Sequence, residues 1–226
     1  MRKKMAGILV FIAVIMTIGF LWGKESGVER KAEKQTVRHV TVEMKNMPKN
    51  AIQQQVQHMT LDEKIGQMVI AGLSGTTADA QAISLIQDYK VGGFIFYANN
   101  LQNQKQSIQL VNQLKHENRQ NRFPLFLSVD QEGASVSRLP GVQKLPNNRS
   151  IGNKDDGNFS YEIGKMLGRQ VRSFGMNMDF APVLDVDSNP NNPVIGDRSF
   201  GKNPELVANL GIQTMKGIQS ESIMVQ

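Results

Sequence analysis

The sequence has 226 residues, of which 40% are hydrophobic and 20% charged, a composition typical of a globular protein with a sizeable core. The formal net charge is +6, but residues 51–226 carry sixteen basic and sixteen acidic side chains and are neutral. They lack the basic excess that nucleic-acid binding needs, so no nucleic-acid partner is expected. The absence of cysteine excludes disulfides, a thiol nucleophile, a cysteine-ligated metal and a lipid-modified N-terminal cysteine.

The N-terminal residues are typical of a targeting segment. Three basic residues at positions 2–4 precede a run of 19 uncharged residues, 5–23, which suits a signal peptide or a transmembrane helix. The end of the run, Phe20-Leu21-Trp22-Gly23, lacks a small-x-small cleavage site, which favours an uncleaved membrane anchor. Because the basic end stays cytoplasmic, we expect the rest of the chain on the extracellular face of the cell membrane, or secreted if the segment is cleaved.

Three regions follow from this pattern. Residues 1–23 are the signal peptide or membrane anchor, and residues 24–50 form a charged spacer without apolar periodicity. Residues 51–226 form the globular domain.

Helix and strand patterns alternate from residue 60 onward. Thr60-Leu61-Asp62-Glu63 has the spacing of a capping box, and it predicts a helix with Ile65, Met68 and Val69 on one face. A short apolar stretch follows at 68–73. Further helices are predicted at 78–90, 102–119, 159–174 and from Asn203-Pro204-Glu205 onward. In the helix at 159–174, Ile163, Leu167 and Val171 fall at i, i+4 and i+8, and Gly175 is its C′ residue. Further strands are predicted at 92–97, 124–130 and 176–187.

Strands that are apolar throughout and alternate with helices predict a parallel α/β sheet with both faces covered. A doubly wound sheet and a (β/α)8 barrel of the TIM type both have this pattern. No glycine-rich dinucleotide or phosphate loop follows a strand. Polar residues instead collect just beyond the strand ends, as in Asp130-Gln131-Glu132 and at Asp185 and Asp187, which favours the barrel.

Two of these loops carry the chemistry. The loop of residues 130–139 and the loop of residues 185–200 together offer several carboxylates and two arginines on one rim. Carboxylates accept hydrogen bonds from sugar hydroxyls, and arginine donates through its rigid fork, so the set suits a polyhydroxylated ligand. Asp179, in the middle of the predicted fourth strand, is interpreted as structural.

Several ordered motifs resemble glycoside hydrolase family 3, most closely its bacterial β-N-acetylhexosaminidase branch. They are EKIGQM from Glu63, VGGFIFYANN from Val91, DQEG-x-x-V-x-RL from Asp130, N-x-DFAPVLD from Asn177 and NPVIGDRSF from Asn192. The resemblance covers about residues 55–220. It implies the first four βα units of a (β/α)8 barrel and activity on N-acetylglucosamine linkages, including those of cell-wall fragments.

The resemblance also implies roles for single residues. Asp130 is expected to accept hydrogen bonds from hydroxyls of the non-reducing sugar, and Arg138 and Arg198 are expected to bind the same sugar. The chain departs from the family at Gly133-Ala134, where the family usually has two glycines. If this position needs a positive φ, alanine strains the loop.

The residues alone leave structural alternatives open. Asp130 is also placed to cap a following helix. The two arginines have alternative ion-pair partners, Arg138 with Glu132, and Arg198 with Asp185 or Asp187.

The residues that would perform the cleavage are not found in these 226 residues. A retaining glycosidase needs a nucleophile and an acid/base, and in the resembled branch the acid/base is a histidine in the loop after the fifth strand. Residues 221–224 are similar to the approach to that strand, and no histidine follows His116. We therefore assign no catalytic residue and expect the chain to be inactive alone. Four βα units leave open edges, which predicts self-association.

Three functions are compatible with this sequence. The first is a β-N-acetylhexosaminidase by family. The alternatives are a noncatalytic, membrane-tethered sugar-binding remnant and a β-glucosidase of the same family. No metal or organic cofactor is indicated, and the expected partners are an N-acetylglucosamine-containing glycan and, through residues 5–23, a membrane.

Overall fold

The computed structural model describes residues 49–189 and 191–226. The chain divides into two units, Met1–Met59 and Thr60–Gln226. The described part of the first unit contains helix α1, Lys49–Gln57. Residues 1–48, which include the predicted membrane segment, lie outside the described residues. Within the described ranges, no helix has both the length and the apolar character needed to cross a membrane.

The second unit alternates strands and helices. Its helices are α2 (Leu61–Gln67), α3 (Ala80–Gln87), α4 (Gln104–Glu117), α5 (Asn148–Lys154), α6 (Gly157–Ser173) and α7 (Pro204–Ser220). Its strands are β1 (Ile70–Gly72), β2 (Gly93–Phe96), β3 (Phe126–Val129), β4 (Gln131–Gly133), β5 (Val136–Ser137), β6 (Met178–Asp179) and β7 (Met224–Val225). Short 3₁₀ turns occur at Ala98–Asn100, Asn118–Gln120 and Gly196–Arg198.

Five strands form one parallel sheet in the order β1-β2-β3-β6-β7. The order of these five strands in the sheet is therefore their order along the chain. The reversal of strand order that defines a doubly wound sheet does not occur among the described strands. Four strand–helix units precede β7. The expected first four units of a (β/α)8 barrel are confirmed, and β7 is the expected fifth strand.

The side chains of β2 and β3 alternate between two environments. Phe94 and Phe96, with Leu127 and Val129, are at most 1% exposed and belong to the core under the helices. Ile95 lies on the opposite face of the sheet, where parallel register pairs it with Ser128. Residues two positions after Ile95 and Ser128 point to the same face as these two residues, so their side chains lie together at the carboxyl edge of the sheet.

The periodicity of the helices predicted their buried faces in most places. On α6, Ile163, Leu167 and Val171 are buried, and Gly175 follows the helix with φ of +77°, as predicted. The capping box of α2 is present, with Glu63 N donating to Thr60 Oγ1 at 3.2 Å.

The face predicted for α2 is wrong. Ile65 is 55% exposed and Met68 is 85% exposed. The helix instead packs through Gly66, where a Cβ atom would lie 2.1 Å from the carbonyl oxygen of Tyr89. Backbone packs on backbone at this contact, and apolar side chains have no part in it.

The predicted fourth strand, 176–187, is also wrong in length. Only Met178–Asp179 pairs with β3, and the chain then leaves the sheet at Pro182, which has no N–H to donate to a ladder. Before the strand, the Asn177 side chain adds to the backbone bond that Asn177 N donates to Leu127 O. Its Oδ1 accepts from Leu127 N at 2.8 Å and its Nδ2 donates to Leu125 O at 2.9 Å.

Helices α6 and α7 meet along small residues. A Cβ atom at Gly164 would lie 2.1 Å from the Thr214 carbonyl oxygen, and one at Gly217 would lie 2.1 Å from the Tyr161 carbonyl oxygen. The hydroxyls of Ser160 and Thr214 are 2.8 Å apart and buried. At Gly164 and Gly217 the two helix backbones thus approach too closely for a residue with a Cβ atom.

We expect Gly164→Ala to lower the free energy of unfolding by about 1–3 kcal/mol, because the added methyl group meets a backbone carbonyl that cannot rotate away. Urea unfolding measures the change. Gly157→Ala, in the same helix, is the control, because its Cβ would have ordinary contact with Gln213 Cγ at 3.5 Å. An unchanged midpoint for Gly164→Ala would contradict the close helix contact.

A small hairpin, β4–β5, follows β3 and was not predicted as strands. Gly133 and Ala134 both have positive φ in its turn, +97° and +45°. The backbone N–H of Ala134 donates to Leu145 O at 2.8 Å, which fixes this conformation. The condition for strain at Ala134, a positive φ, is met, and left-handed backbone disfavours a Cβ atom.

Replacing Ala134 by glycine is expected to stabilise the fold by about 0.5–1 kcal/mol, since relief of the left-handed backbone exceeds the added entropy of glycine in the unfolded chain. Thermal unfolding gives the readout. Ala208→Gly, on the exposed side of α7, should shift stability the opposite way by about 1 kcal/mol. A loss of stability in both variants would sink the explanation from strain.

Candidate functional site

A concave surface lies at the carboxyl ends of β2, β3 and β6. Its volume is about 540 Å³. Its lining residues come from these strands, the loops that follow them and the chain end at Gln226: Ile95, Tyr97, Asp130, Glu132, Phe180, Pro182, Val183, Leu184, Asp185, Arg198 and Gln226. Of the polar rim predicted beyond the strand ends, Asp130, Glu132 and Asp185 line this cavity, whereas Gln131 and Asp187 are not among its lining residues.

Asp130 occupies the position directly after β3 and is partly buried. Strand β4 begins at the next residue, so the alternative in which Asp130 caps a helix is wrong. Among the described residues, no hydrogen bond or ion pair engages its carboxylate. Asp130 thus presents acceptor oxygens to the cavity.

Arg198 pairs with Glu132 through two parallel bonds. Its Nε donates to Glu132 Oε2 at 2.8 Å and its Nη2 donates to Glu132 Oε1 at 2.7 Å. The alternative that paired Arg198 with Asp185 or Asp187 is wrong in the structure. Hydrogen bonding to Glu132 raises the pKa of the Arg198 guanidinium further above its ordinary value, and burial opposes this. A fork geometry of this kind fixes both position and orientation.

Arg138 lies away from this pair. Its backbone N–H donates to Gln131 Oε1 at 2.9 Å, and its Nε is buried without a hydrogen-bond partner in the described ranges. Its alternative pairing with Glu132 is wrong, because among the described residues the ion-pair partner of Glu132 is Arg198. The structure therefore brings Asp130 and Arg198 together at the cavity, and Arg138 is not among the described residues that line it.

Gln131 organises the hairpin beneath the site, a role that sequence reasoning missed. It is 1% exposed. Its Nε2 donates to Ser137 Oγ at 2.9 Å and to Gln170 Oε1 at 2.8 Å, while its Oε1 accepts from the N–H of Arg138. A buried amide that satisfies both of its ends in this way fixes the loop that carries Asp130 and Glu132.

Asp179 supports the same hairpin from β6. It is fully buried, and its Oδ1 accepts from Gln131 N at 3.0 Å. Burial raises the pKa of the Asp179 carboxyl well above its usual range; the bond from Gln131 opposes this, and the nearby charges of Asp130 and Glu132 add to it. Asp179 therefore holds the backbone of Gln131 in place from beneath the rim.

Helix α5 anchors the loop that carries Arg198. Asn148 Nδ2 donates to the Arg198 carbonyl oxygen at 2.7 Å, and Asn147 Nδ2 donates to Asp197 Oδ2 at 2.7 Å. Arg149 pairs with Asp187 at 2.6 Å. Sequence reasoning missed this helix, although Asn147, the residue just before it, is a favourable N-cap residue.

Comparisons with known proteins bear on the site. The glycosyl hydrolase family 3 N terminal domain matches residues 60–226. The chain is 38% identical over 156 residues to beta-hexosaminidase A of Pseudoalteromonas piscicida, covering 66% of this chain and 26% of that protein. It is 35% identical over 158 residues to beta-hexosaminidase of Nitrosomonas eutropha, covering 67% and 43%. The chain thus spans less than half of either relative.

Two solved structures resemble the chain in both fold and sequence. A glycoside hydrolase family 3 beta-N-acetylglucosaminidase from Paenibacillus sp. superimposes with a TM-score of 0.71 at 40% identity, covering 74% of this chain and 32% of that one. NagZ from Neisseria gonorrhoeae, solved in complex with N-trifluoroacetyl-D-glucosamine, superimposes with a TM-score of 0.63 at 29% identity, covering 70% and 48%.

The family profile, the relatives and the parallel sheet point to one assignment, and the resemblance seen in the sequence motifs is confirmed. The chain belongs to glycoside hydrolase family 3, with that family's N-terminal domain matched over residues 60–226.

Proposed function

We propose that the cavity binds the terminal N-acetylglucosamine residue of a β-linked glycan. The chain would be the sugar-binding part of a family 3 glycosidase that hydrolyses such linkages. The observation that carries the proposal is the unpaired carboxylate of Asp130 beside the Glu132-bound guanidinium of Arg198 in one cavity. The names of the relatives, beta-hexosaminidase and beta-N-acetylglucosaminidase, support this substrate over a β-glucoside.

Arg198 retains donors for a ligand. A guanidinium has five N–H groups. Glu132 accepts from Nε and from Nη2, and the Val194 carbonyl oxygen accepts from Nη1 at 3.3 Å. One N–H on each terminal nitrogen is thus left for sugar hydroxyls, while the oxygens of Asp130 accept from neighbouring hydroxyls. Donors and acceptors on one wall match the two-sided hydrogen bonding of a sugar.

Arg138 belongs to this proposal through the family resemblance alone. Its buried Nε has no partner within the described part of the chain. A buried donor without a partner costs free energy. In this proposal a sugar oxygen accepts from Arg138 and removes that cost.

We also propose that these 226 residues bind a sugar without turning it over. Double displacement needs a nucleophile and an acid/base on either side of the scissile bond. No histidine follows His116, and the carboxylate of Glu132, inside the cavity, is neutralised by Arg198. The chain alone therefore acts as a saccharide-binding unit.

The regions before the domain complete the proposal. Residues 1–23 would anchor the protein in the cell membrane or be cleaved, residues 24–50 would space it from the surface, and residues 51–226 would face the cell exterior. The basic residues before the uncharged run support this orientation. Self-association through the open edges of the sheet is part of the same proposal, supported by the pairing of β1 and β7 with a single neighbour each among the described strands.

Asp130→Asn is expected to weaken N-acetylglucosamine binding about ten- to hundredfold, because hydrogen bonds to a charged acceptor contribute roughly 1.5–3 kcal/mol. Isothermal titration of the full chain with the free sugar measures the affinity. Asp155→Asn, an exposed aspartate on α5's C-terminal side, is the matched control and should bind as the unmodified chain does. Equal affinity for both variants would remove Asp130 from the site.

Hydrolysis gives the second test. With a chromogenic β-N-acetylglucosaminide, the 226-residue chain is expected to release no more chromophore than Asp130→Asn does. A chromogenic β-glucoside serves as the parallel substrate. Release that Asp130→Asn abolishes would contradict binding without turnover, and would direct the search for an acid/base and nucleophile to Asp185, Asp187 and Asp197. Release from the glucoside alone would favour the β-glucosidase alternative.

A further inference from the structure

Tyr97 is an exposed aromatic residue at the mouth of the cavity. It follows β2 directly and is 46% exposed, whereas Phe94 and Phe96 in the strand are completely buried on the other face. With Ile95 it lines the cavity. An aromatic ring of this size carries a large apolar surface, and its exposure beside charged groups is not explained by the core.

The backbone of Tyr97 is held by a buried amide. Asn100 is completely buried, and its Oδ1 accepts from Tyr97 N at 2.9 Å. Its Nδ2 donates to the carbonyl oxygens of Leu73 and Gly75, at 3.0 and 2.8 Å. Asn100 therefore ties the end of β2 to the loop after β1. Tyr97 projects from a rigid turn, so little entropy is lost when a ligand contacts it.

The ring lies next to the neighbouring strand. A Cβ atom at Gly72 would lie 3.9 Å from Tyr97 Cε2, so the ring stands beside the carboxyl end of β1. Within the described ranges, the Tyr97 hydroxyl makes no hydrogen bond. The ring is thus placed by its backbone, and it is 46% exposed.

The register places Tyr97 beside Asp130. Phe96 pairs with Val129, so the next residues of the two strands, Tyr97 and Asp130, are neighbours about 5 Å apart in the sheet direction. Both line the cavity. A sugar whose hydroxyls reach Asp130 therefore lies within reach of the ring.

The cavity has the two kinds of wall that a pyranose needs. A pyranose has hydroxyls around its edge and C–H groups on its faces. Its polar lining residues are Asp130, Glu132, Asp185, Arg198 and Gln226, and its apolar lining residues are Ile95, Tyr97, Phe180, Pro182, Val183 and Leu184. Tyr97 is the one flat side chain of that apolar group that is also strongly exposed.

We infer that Tyr97 forms a stacking wall, against which the C–H face of the bound sugar packs while its hydroxyls engage Asp130 and Arg198. The inference rests on the proposed function, since it assigns a further contact in the same cavity. It also predicts which part of the tyrosine matters. Stacking needs the ring and does not need the hydroxyl.

Titration of the full chain with free N-acetylglucosamine tests this with three variants. Tyr97→Ala is expected to weaken binding at least fivefold, and Tyr97→Phe by less than threefold. Tyr89→Ala removes a tyrosine that is 67% exposed and does not line the cavity, so its affinity should stay unchanged.

A second readout uses the unmodified chain and does not depend on how a variant folds. In proton NMR, the ring current of a stacked tyrosine should shift the C–H protons of the bound sugar upfield. The shift should persist in Tyr97→Phe and vanish in Tyr97→Ala.

The outcomes separate this inference from the proposed function. If Asp130→Asn loses binding while Tyr97→Ala retains it, stacking is overturned and the proposed function stands. Equal losses in Tyr97→Phe and Tyr97→Ala, without an upfield shift in the unmodified chain, overturn stacking in favour of a hydroxyl contact. If the unmodified chain binds no N-acetylglucosamine, both ideas fall.

Discussion

The ion pair between Glu132 and Arg198 is the contact on which the arrangement of the site depends. The two residues are 66 positions apart, and the pair joins the hairpin after β3 to the loop after β6. Glu132 is only 6% exposed and lies close to Asp130 and Asp179. A buried carboxylate among like charges is costly unless a cation meets it with good geometry. The pair therefore holds two loops in one place and leaves the carboxylate of Asp130 free to accept from a ligand.

Much of the fold could be predicted because local signals and tertiary packing agree there. The capping box at Thr60, the helical period of Ile163, Leu167 and Val171, and the glycine at 175 all depend on nearby residues alone. Prediction failed where backbone contacts replaced side-chain burial. Gly66 packs on a carbonyl, and the Asn177 side chain bonds to the backbone of the neighbouring strand. Neither contact has a period that a sequence pattern can reveal.

The site was predictable in its members and not in their pairing. Asp130 and Arg198 carry recognisable motifs, and parallel strands bring them to the same rim. The sequence offered three carboxylates as partners for two arginines, and only the three-dimensional structure selects Glu132 for Arg198. Gln131 was missed because a glutamine beside two acids has no distinguishing pattern. Its side chain bonds to Ser137, six positions away, and to Gln170, 39 positions away. No sequence pattern marks either of these contacts.

The contact between α5 and the loop of Arg198 has a consequence for motion. A Cβ atom at Gly152 would lie 1.7 Å from the Phe200 carbonyl oxygen, and Asn148 holds the Arg198 carbonyl two residues earlier. Helix and loop thus touch through backbone on one side and through a buried amide on the other. Neither contact can lengthen gradually, as a flexible side chain would allow. A displacement of the Arg198 backbone is therefore expected to carry α5 with it, whereas the guanidinium can still turn about its own side-chain bonds.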